Sequence, residues 1–352
     1  MDNSHDWKKL PLDCYDVSVT SAHKESGLVF IVTMTNKKSG IQSMVNRCFN
    51  DFVWLDNCIH REQTSVAHIF PPLPSKGKSH PKKSTVRPDS DEVTTDCIIM
   101  EKYISLLMRH YVFSQSEYLR RFLLDPELLP PSSFKASSSF DGLAKITKVF
   151  NSYKEADPWF SSHVGWLQSY THFVKEARQS LKKRVFAERD LADAFAAMSI
   201  ALQASSENTK FNRLLTIFSE AAYDLQHMFG IASSNNERTL GIAVDLQEQL
   251  LLAEHEMLDR RRDEAIHCAS LEKSLVKAKP NKRAEIEEQH KMACETFKVT
   301  SETARKEVEK FHEMRVQDFK IAILEYAEYQ LQNAQNVHTA LSRTLSNLQS
   351  IE

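Results

Sequence analysis

The chain has 352 residues, of which 41% are hydrophobic and 26% charged, and its formal net charge is −2. This balance argues against a general nucleic-acid binder, which normally carries a basic domain. Glycine is scarce, at 7 residues, and only one of the 11 prolines, Pro280, follows residue 158. So few helix breakers exclude a sheet-and-turn domain or a dinucleotide-binding domain from the C-terminal half. The composition therefore predicts a mixed N-terminal domain followed by long helices.

No segment is typical of secretion or of a membrane span. The first residues, MDNSHDWKKLPLD, are polar, and no stretch approaches 18 apolar residues. The six cysteines include no C-x-x-C pair, which favours reduced thiols over a disulfide or zinc framework. We therefore expect a cytoplasmic protein without a cofactor or a bound metal, which meets membranes only at their surface.

The N-terminal third alternates β-branched segments with turn residues and then becomes helical. Its β-rich segments predict three antiparallel strands, and the later apolar spacing predicts helices on either side of a proline run. In chain order, the predicted segments are strands at 13–20, 28–35 and 41–47, a helix at 51–61, the proline run at 70–74, a basic loop at 75–88 and helical structure over 92–124.

The remaining chain is predicted to form three long helices, over 158–204, 207–279 and 281–350, with a tight reversal at 278–283. From Phe319 to Leu348, apolar and small residues recur in steps of three and four, as in a coiled-coil seam. A helix of this length spans about 100 Å. It must therefore pack on other long helices, in part from a second chain.

The N-terminal motifs resemble those of the phox-homology (PX) domain. The residues that carry the likeness are Arg47-Cys48-Phe49-Asn50-Asp51-Phe52-Val53-Trp54-Leu55 and Pro71-Pro72-Leu73-Pro74-x-Lys76, in family order over some 120 residues. The resemblance implies a PX-like domain at 1–125 that binds phosphoinositide or other anionic lipid. The residues expected to contact lipid are Arg47, Phe49, Lys76, Lys78, Lys82 and Lys83.

Two departures from the family pattern affect this lipid pocket. The second basic residue of the motif is replaced by Cys48, and Asp96 and Cys97 stand where a further arginine is usual. A phosphate pocket needs charge-assisted donors, which a thiol does not provide. The sequence therefore predicts an impaired pocket and leaves the phosphoinositide preference open.

The C-terminal half resembles the Bin/Amphiphysin/Rvs (BAR) domain of sorting nexins, in particular the retromer-associated ones. The likeness rests on ADPWF at 156–160, KAKPNK at 277–282 and RKEVEKFHEMRVQDFKIAILEY at 305–326. It implies an α+β PX domain followed by an all-α BAR domain of three long helices at 156–352. It also implies a homodimer, or a heterodimer with another PX-BAR sorting nexin, that senses or induces curvature on endosomal membranes and supports protein transport with retromer subunits as candidate partners.

Two further groups are candidates for membrane contact. A linker at 126–138 precedes an amphipathic segment at 139–155, whose apolar side chains suit insertion between headgroups, with packing between the two domains as the alternative. Its inserting residues are Phe140, Leu143, Ile146 and Phe150. The densest basic groups of the BAR-like region predict a membrane face, although interspersed acids also fit a merely solvated surface. These are Arg260, Arg261, Arg262, Lys273, Lys277, Lys279, Lys282 and Arg283.

The alternatives to membrane binding are an enzyme and a protein scaffold. Glu264-x-x-His267 and Glu287-x-x-His290 match half of a di-iron carboxylate site, but they lie near the 280 reversal among basic residues, without apolar walls. The sequence contains no P-loop or nucleophile elbow, so we predict that it is not an enzyme. The remaining alternative is a helical scaffold or tether whose PX-like domain binds proteins.

Overall fold

The structure is a computed structural model that describes residues 11–24, 27–62, 66–74, 91–128, 155–203 and 210–351.

A three-stranded antiparallel sheet opens the fold, in the order β1-β2-β3. Its strands are β1 (Tyr15–Lys24), β2 (Gly27–Asn36) and β3 (Gln42–Arg47). Along β2, Phe30, Val32 and Met34 are fully buried, because alternate side chains of a strand share one face. The three predicted strands are confirmed, and β1 and β2 form a longer hairpin than the sequence indicated.

Three helices cover the buried face of this sheet: α1 (Phe49–Glu62), α2 (Asp91–Arg109) and α3 (Glu117–Leu124). Phe52 of α1 makes edge-to-face contacts with Phe30 of β2 and Phe122 of α3, with ring centroids 5.6 and 4.9 Å apart. These contacts join the sheet and two helices in one hydrophobic core. The predicted helical region 92–124 is split after Arg109 by a turn and a short 3-10 segment.

Long helices follow, as predicted, but the second one contains a π-helical turn. The elements are α4 (Pro158–Leu202), α5 (Lys210–Asn236), the π-helical turn Glu237–Gly241, α6 (Ile242–Lys277) and α7 (Pro280–Gln349). Asp157 begins α4, since its Oδ1 accepts a hydrogen bond from the Trp159 backbone N–H at 2.9 Å. Pro158 and Pro280 each occupy the first helical position, where proline costs no hydrogen bond.

The chain divides into two compact units, and each is described by itself. The first unit contains Met1–Leu167 and Gln249–Phe311, so the sheet domain and the ends of α6 and α7 near their reversal belong together. The second unit contains Gln168–Glu248 and His312–Glu352. Its helices leave many large apolar side chains exposed, among them Phe173, Phe186, Phe211, Phe218 and Leu345.

Candidate membrane-binding site

Arg47, predicted to hold a lipid phosphate, lies in the protein interior. Only 1% of its surface is exposed. Its guanidinium donates to the backbone carbonyls of Asn46, Phe122 and Asp125, at 2.9, 2.8 and 2.5 Å, and lies over the Phe122 ring. The side chain thus satisfies carbonyl groups at the C-terminus of α3, where a cation is favourable. In this arrangement Arg47 stabilises the fold and has no free donor at the surface.

The residues that follow Arg47 in the sequence do not provide another hydrogen-bond donor for a lipid phosphate. Phe49 is half-buried and packs against the core. The Cys48 backbone N–H donates to Asp51 Oδ2 at 2.7 Å. Cys48 is exposed, but desolvation by the surrounding protein and the Asp51 carboxylate raise the pKa of its thiol, which therefore stays neutral near pH 7. The other predicted PX contacts, Lys76, Lys78, Lys82 and Lys83, and the predicted inserting residues Phe140, Leu143, Ile146 and Phe150, lie outside the described residues.

Two of the three consecutive arginines on α6 bind the protein itself, which differs from their predicted place on a membrane face. Arg260 donates to the carbonyls of Val66 and His68, at 3.2 and 2.7 Å, and its guanidinium lies 5.3 Å from the Phe70 ring centroid. It thereby holds the segment that leads into the proline run.

Arg261 is 2% exposed and pairs with Glu155 at 2.7 Å. Its guanidinium lies 3.5 and 4.9 Å from the ring centroids of Phe160 and Phe297. Periodicity could have indicated this outcome, because consecutive helical residues point to different faces and cannot all meet one membrane. Arg262 is half-buried and pairs with Asp259 at 2.8 Å.

A buried carboxylate on α7 also binds the segment that leads into the proline run. Glu307 accepts hydrogen bonds from the Ile69 backbone N–H at 3.1 Å and from His110 Nε2 at 2.8 Å, and lies 3.6 Å from His68 Nδ1. Burial alone would raise its pKa, but the hydrogen bonds from His110 and Ile69, together with the nearby His68 ring, hold the pKa at about 2. We did not predict this cluster from the sequence, although an acid between the seam residues Ala304 and Val308 was a detectable signal.

We call His68, His110 and Glu307 the Glu307 cluster. The tautomer of His110 decides what this cluster can bind. His110 Nδ1 accepts hydrogen bonds from the backbone N–H groups of Val112 and Phe113, at 3.2 and 3.3 Å. The ring proton must therefore sit on Nε2, which donates it to Glu307. A protonated Nε2 has no lone pair for a metal ion, so the arrangement suits a hydrogen-bonded anchor rather than a metal centre.

The remaining predicted basic residues are exposed around the reversal between α6 and α7. We call this group the basic turn: Lys273, Lys277, Lys279, Lys282 and Arg283. Residues 273–283 contain no acid, and Val276 among them is 84% exposed. Positive charge beside an exposed apolar side chain is a combination that suits an anionic lipid surface. In the described part of the chain, no helix is long and apolar enough to cross a bilayer.

Two cysteines near the basic turn are paired, which corrects the expectation of scattered, reduced thiols. Cys268 of α6 and Cys294 of α7 are joined as a disulfide, and His290 Nε2 lies 3.4 Å from Cys294 Sγ. The helices run antiparallel from the reversal, so residues far apart in sequence become neighbours. The spacing test for C-x-x-C could not detect this pair. Among described residues, His290 groups with these cysteines and not with Glu264, His267 or Glu287 as a di-iron site would require.

Comparison with known proteins finds one family model and several similar sequences. Residues 35–126 match the family model of the PX domain. Sorting nexin-2 of Homo sapiens is 24% identical over 326 residues, which cover 83% of this chain and 63% of that relative. Sorting nexin-1 of Mus musculus is 23% identical over 236 residues, covering 62% of this chain and 45% of the relative. The chain thus spans less than two thirds of the length of these relatives.

A solved structure supports the arrangement of the fold. The cryo-EM structure of the SNX-BAR Mvp1 tetramer aligns with a TM-score of 0.54 and 12% identity, covering 94% of this chain and 100% of that one. The predicted architecture, an α+β PX domain followed by a helical BAR-type region, is therefore confirmed.

Proposed function

We propose that this PX-BAR sorting nexin is a peripheral protein that binds anionic, phosphoinositide-containing endosomal membranes, dimerises, and supports curvature and protein transport. We infer that it catalyses no reaction, since the relatives that it resembles are sorting nexins. The observation that carries the membrane proposal is the exposed basic turn, with five cations and no acid over residues 273–283. Each such cation contributes about 1 kcal/mol near an anionic surface.

The membrane affinity is proposed to come more from the helical region than from the PX pocket. Arg47 is hydrogen-bonded to backbone carbonyls in the interior, and Cys48 is a neutral thiol. The lysines at 76, 78, 82 and 83 and the apolar residues at 140, 143, 146 and 150 stay predictions as additional lipid contacts. Many weak contacts, repeated on a second chain, give useful affinity through avidity.

Dimerisation is proposed to cover the exposed apolar side chains of the second unit. Phe211 and Phe218 lie seven residues apart on α5 and are 65% and 49% exposed. Helical residues with this spacing share one face, and large exposed apolar faces mark protein interfaces. The occupant is a second copy or another PX-BAR sorting nexin, and retromer subunits are proposed as further partners.

Vesicle sedimentation tests the membrane proposal. We expect Lys273→Glu/Lys277→Glu/Lys282→Glu to weaken binding to phosphatidylserine vesicles by at least about 100-fold, because three attractive charges are lost and three repulsive ones are added. The matched control, Lys273→Arg/Lys277→Arg/Lys282→Arg, keeps the charge and should bind as the wild type does. Binding should also fall sharply between about 50 and 500 mM salt, because exposed charges are screened.

The opposite results would favour the alternative of a scaffold whose PX-like domain binds proteins. These are wild-type protein that stays in the supernatant at low salt, or a charge-reversed variant that pellets as well as the wild type.

A further inference from the structure

We propose that Cys268, His290 and Cys294 bind one zinc ion when the two cysteines are reduced. We call these residues the Cys2His cluster. It lies in the first unit, between α6 and α7, and all three residues are half-buried. Zinc is the metal that sites of two thiolates and an imidazole typically take. This proposal concerns a part of the molecule that the membrane proposal does not use.

The ligand atoms already stand close to the required geometry. One atom from each of the three side chains lies within 4.8 Å of the other two. Cys294 Sγ is 3.4 Å from His290 Nε2. A tetrahedral zinc ion with ordinary bond lengths needs about 3.5 Å between sulfur and nitrogen and about 3.8 Å between two sulfurs. The sulfur–nitrogen spacing is therefore present, and side-chain rotation of Cys268 can separate the two sulfurs.

The backbone supplies the ligands from two rigid elements. His290 and Cys294 are four residues apart on α7, so they project from one face of that helix. Cys268 faces them from α6, with its Cα 5.6 Å from the Cα of Cys294. A ligand pair on one helix and a third ligand on its neighbour leave one tetrahedral position for water.

The Glu307 cluster is a weaker candidate for a metal ion. Its three side chains are also close together. However, the backbone donors at His110 Nδ1 require the proton on His110 Nε2, the atom that would have to bind metal. His290 differs, because its Nε2 faces the sulfur of Cys294.

Zinc binding and the disulfide are alternative states of the same two sulfurs. Two equivalents of a small thiol such as glutathione reduce the bond, giving two cysteine thiols and one oxidised glutathione. Zinc then displaces the two thiol protons. The preference for the zinc state rests on the proposed function, which places the protein at the cytosolic surface of a membrane. Thiols are kept reduced in the cytosol.

The expected consequence is a metal cross-link close to the basic turn. Cys268 precedes the end of α6 by nine residues, and Cys294 follows the start of α7 by fourteen. Zinc would hold the two helices together at this point. We therefore expect hydrogen exchange of residues 265–297 to slow when zinc is added to the reduced protein.

Metal analysis of the full chain tests the proposal without any membrane. The protein is purified with a phosphine reductant, its free thiols are counted, and zinc is titrated against a chromogenic chelator. We expect one zinc ion per wild-type chain, and loss of at least 90% of it in Cys268→Ser/Cys294→Ser. The matched control is Cys48→Ser, which changes an exposed cysteine outside the cluster and should keep the zinc.

A second variant and a second metal keep the test independent of folding. His290→Gln leaves both sulfurs in place and should weaken zinc binding at least 10-fold. Cobalt(II) bound to the wild type should give thiolate-to-cobalt charge-transfer absorption that Cys268→Ser/Cys294→Ser lacks. Equal zinc in wild type and Cys268→Ser/Cys294→Ser would overturn the proposal, as would fully reduced wild-type protein that takes up no zinc. Because vesicle binding is measured separately, these outcomes leave the proposed function standing.

Discussion

The guanidinium of Arg47 is used inside the fold, so its replacement should affect stability before it affects lipid binding. Arg47→Ala removes charge-assisted hydrogen bonds to buried carbonyls such as that of Phe122. We expect it to lower the free energy of unfolding by about 2–4 kcal/mol, measured by urea denaturation. Lys38→Ala, a change at an exposed turn residue, should alter the free energy little. Unchanged stability with a selective loss of phosphoinositide binding would instead place Arg47 at the lipid.

The pH dependence of stability should report on Glu307. Its pKa is about 2, below the ordinary value of 4.5, so its carboxylate stabilises the folded state. This contribution, about 3 kcal/mol, is fully present above pH 4.5 and is lost as the pH falls toward 2. The stability gap between wild type and Glu307→Gln should therefore shrink as the pH is lowered from 5 to 3. A gap that stays constant over this range would show that the carboxylate charge is not responsible.

The chemistry of single residues was only partly predictable. The sequence motif marked Cys48 correctly as a position without a positive charge, because residue type alone settles that question. It could not place Arg47 or Arg261, since both carry their charge into the interior and find partners distant in sequence, such as Phe122 and Glu155. A sequence motif treats every basic residue as available to bind a lipid. Only the packing shows which hydrogen-bond donors already bind groups within the protein.

Among elements, the start of α4 offers a clear prediction. Asp157 caps the helix through its Oδ1 and pairs with Arg305 at 3.0 Å through its Oδ2. Asp157→Ala should lower the free energy of unfolding by about 1–2 kcal/mol, because the Trp159 N–H loses its acceptor. Asp157→Asn keeps the acceptor and should lose less than half of that amount. Equal losses in the two variants would mean that the ion pair, rather than the cap, carries the effect.

The elements themselves were largely predictable because local patterns determine them. Steps of three and four and the lack of helix breakers predicted the long helices, and Pro280 marked their reversal. The break after Arg109 was missed, since it depends on a histidine ring accepting from the turn at Val112 and Phe113. The pairing of Cys268 with Cys294 was missed because it follows from the register of two helices rather than from any local spacing.

At the scale of the whole molecule, the apolar side chains of the second unit should govern assembly. Phe211→Glu/Phe218→Glu places charges on the face proposed to meet a partner, where desolvating them is costly. We expect light scattering after gel filtration to give a monomer for this variant. The wild type should form a dimer, either with a second copy or with a PX-BAR sorting nexin.

Val299→Glu, at a 55% exposed position in the first unit, is the control for that assembly test. It should dimerise as the wild type does. A dimer that survives the double phenylalanine substitution would place the interface elsewhere.

We propose that this chain binds membranes through distributed charge rather than through a phosphoinositide pocket at Arg47. The most direct measurement compares wild-type affinity for phosphatidylserine vesicles with and without phosphatidylinositol 3-phosphate, at matched total charge. We expect the phosphoinositide to raise the affinity by less than about threefold, since a built pocket is worth at least tenfold, or about 1.4 kcal/mol. A gain of tenfold or more that Arg47→Ala abolishes without unfolding would contradict the account.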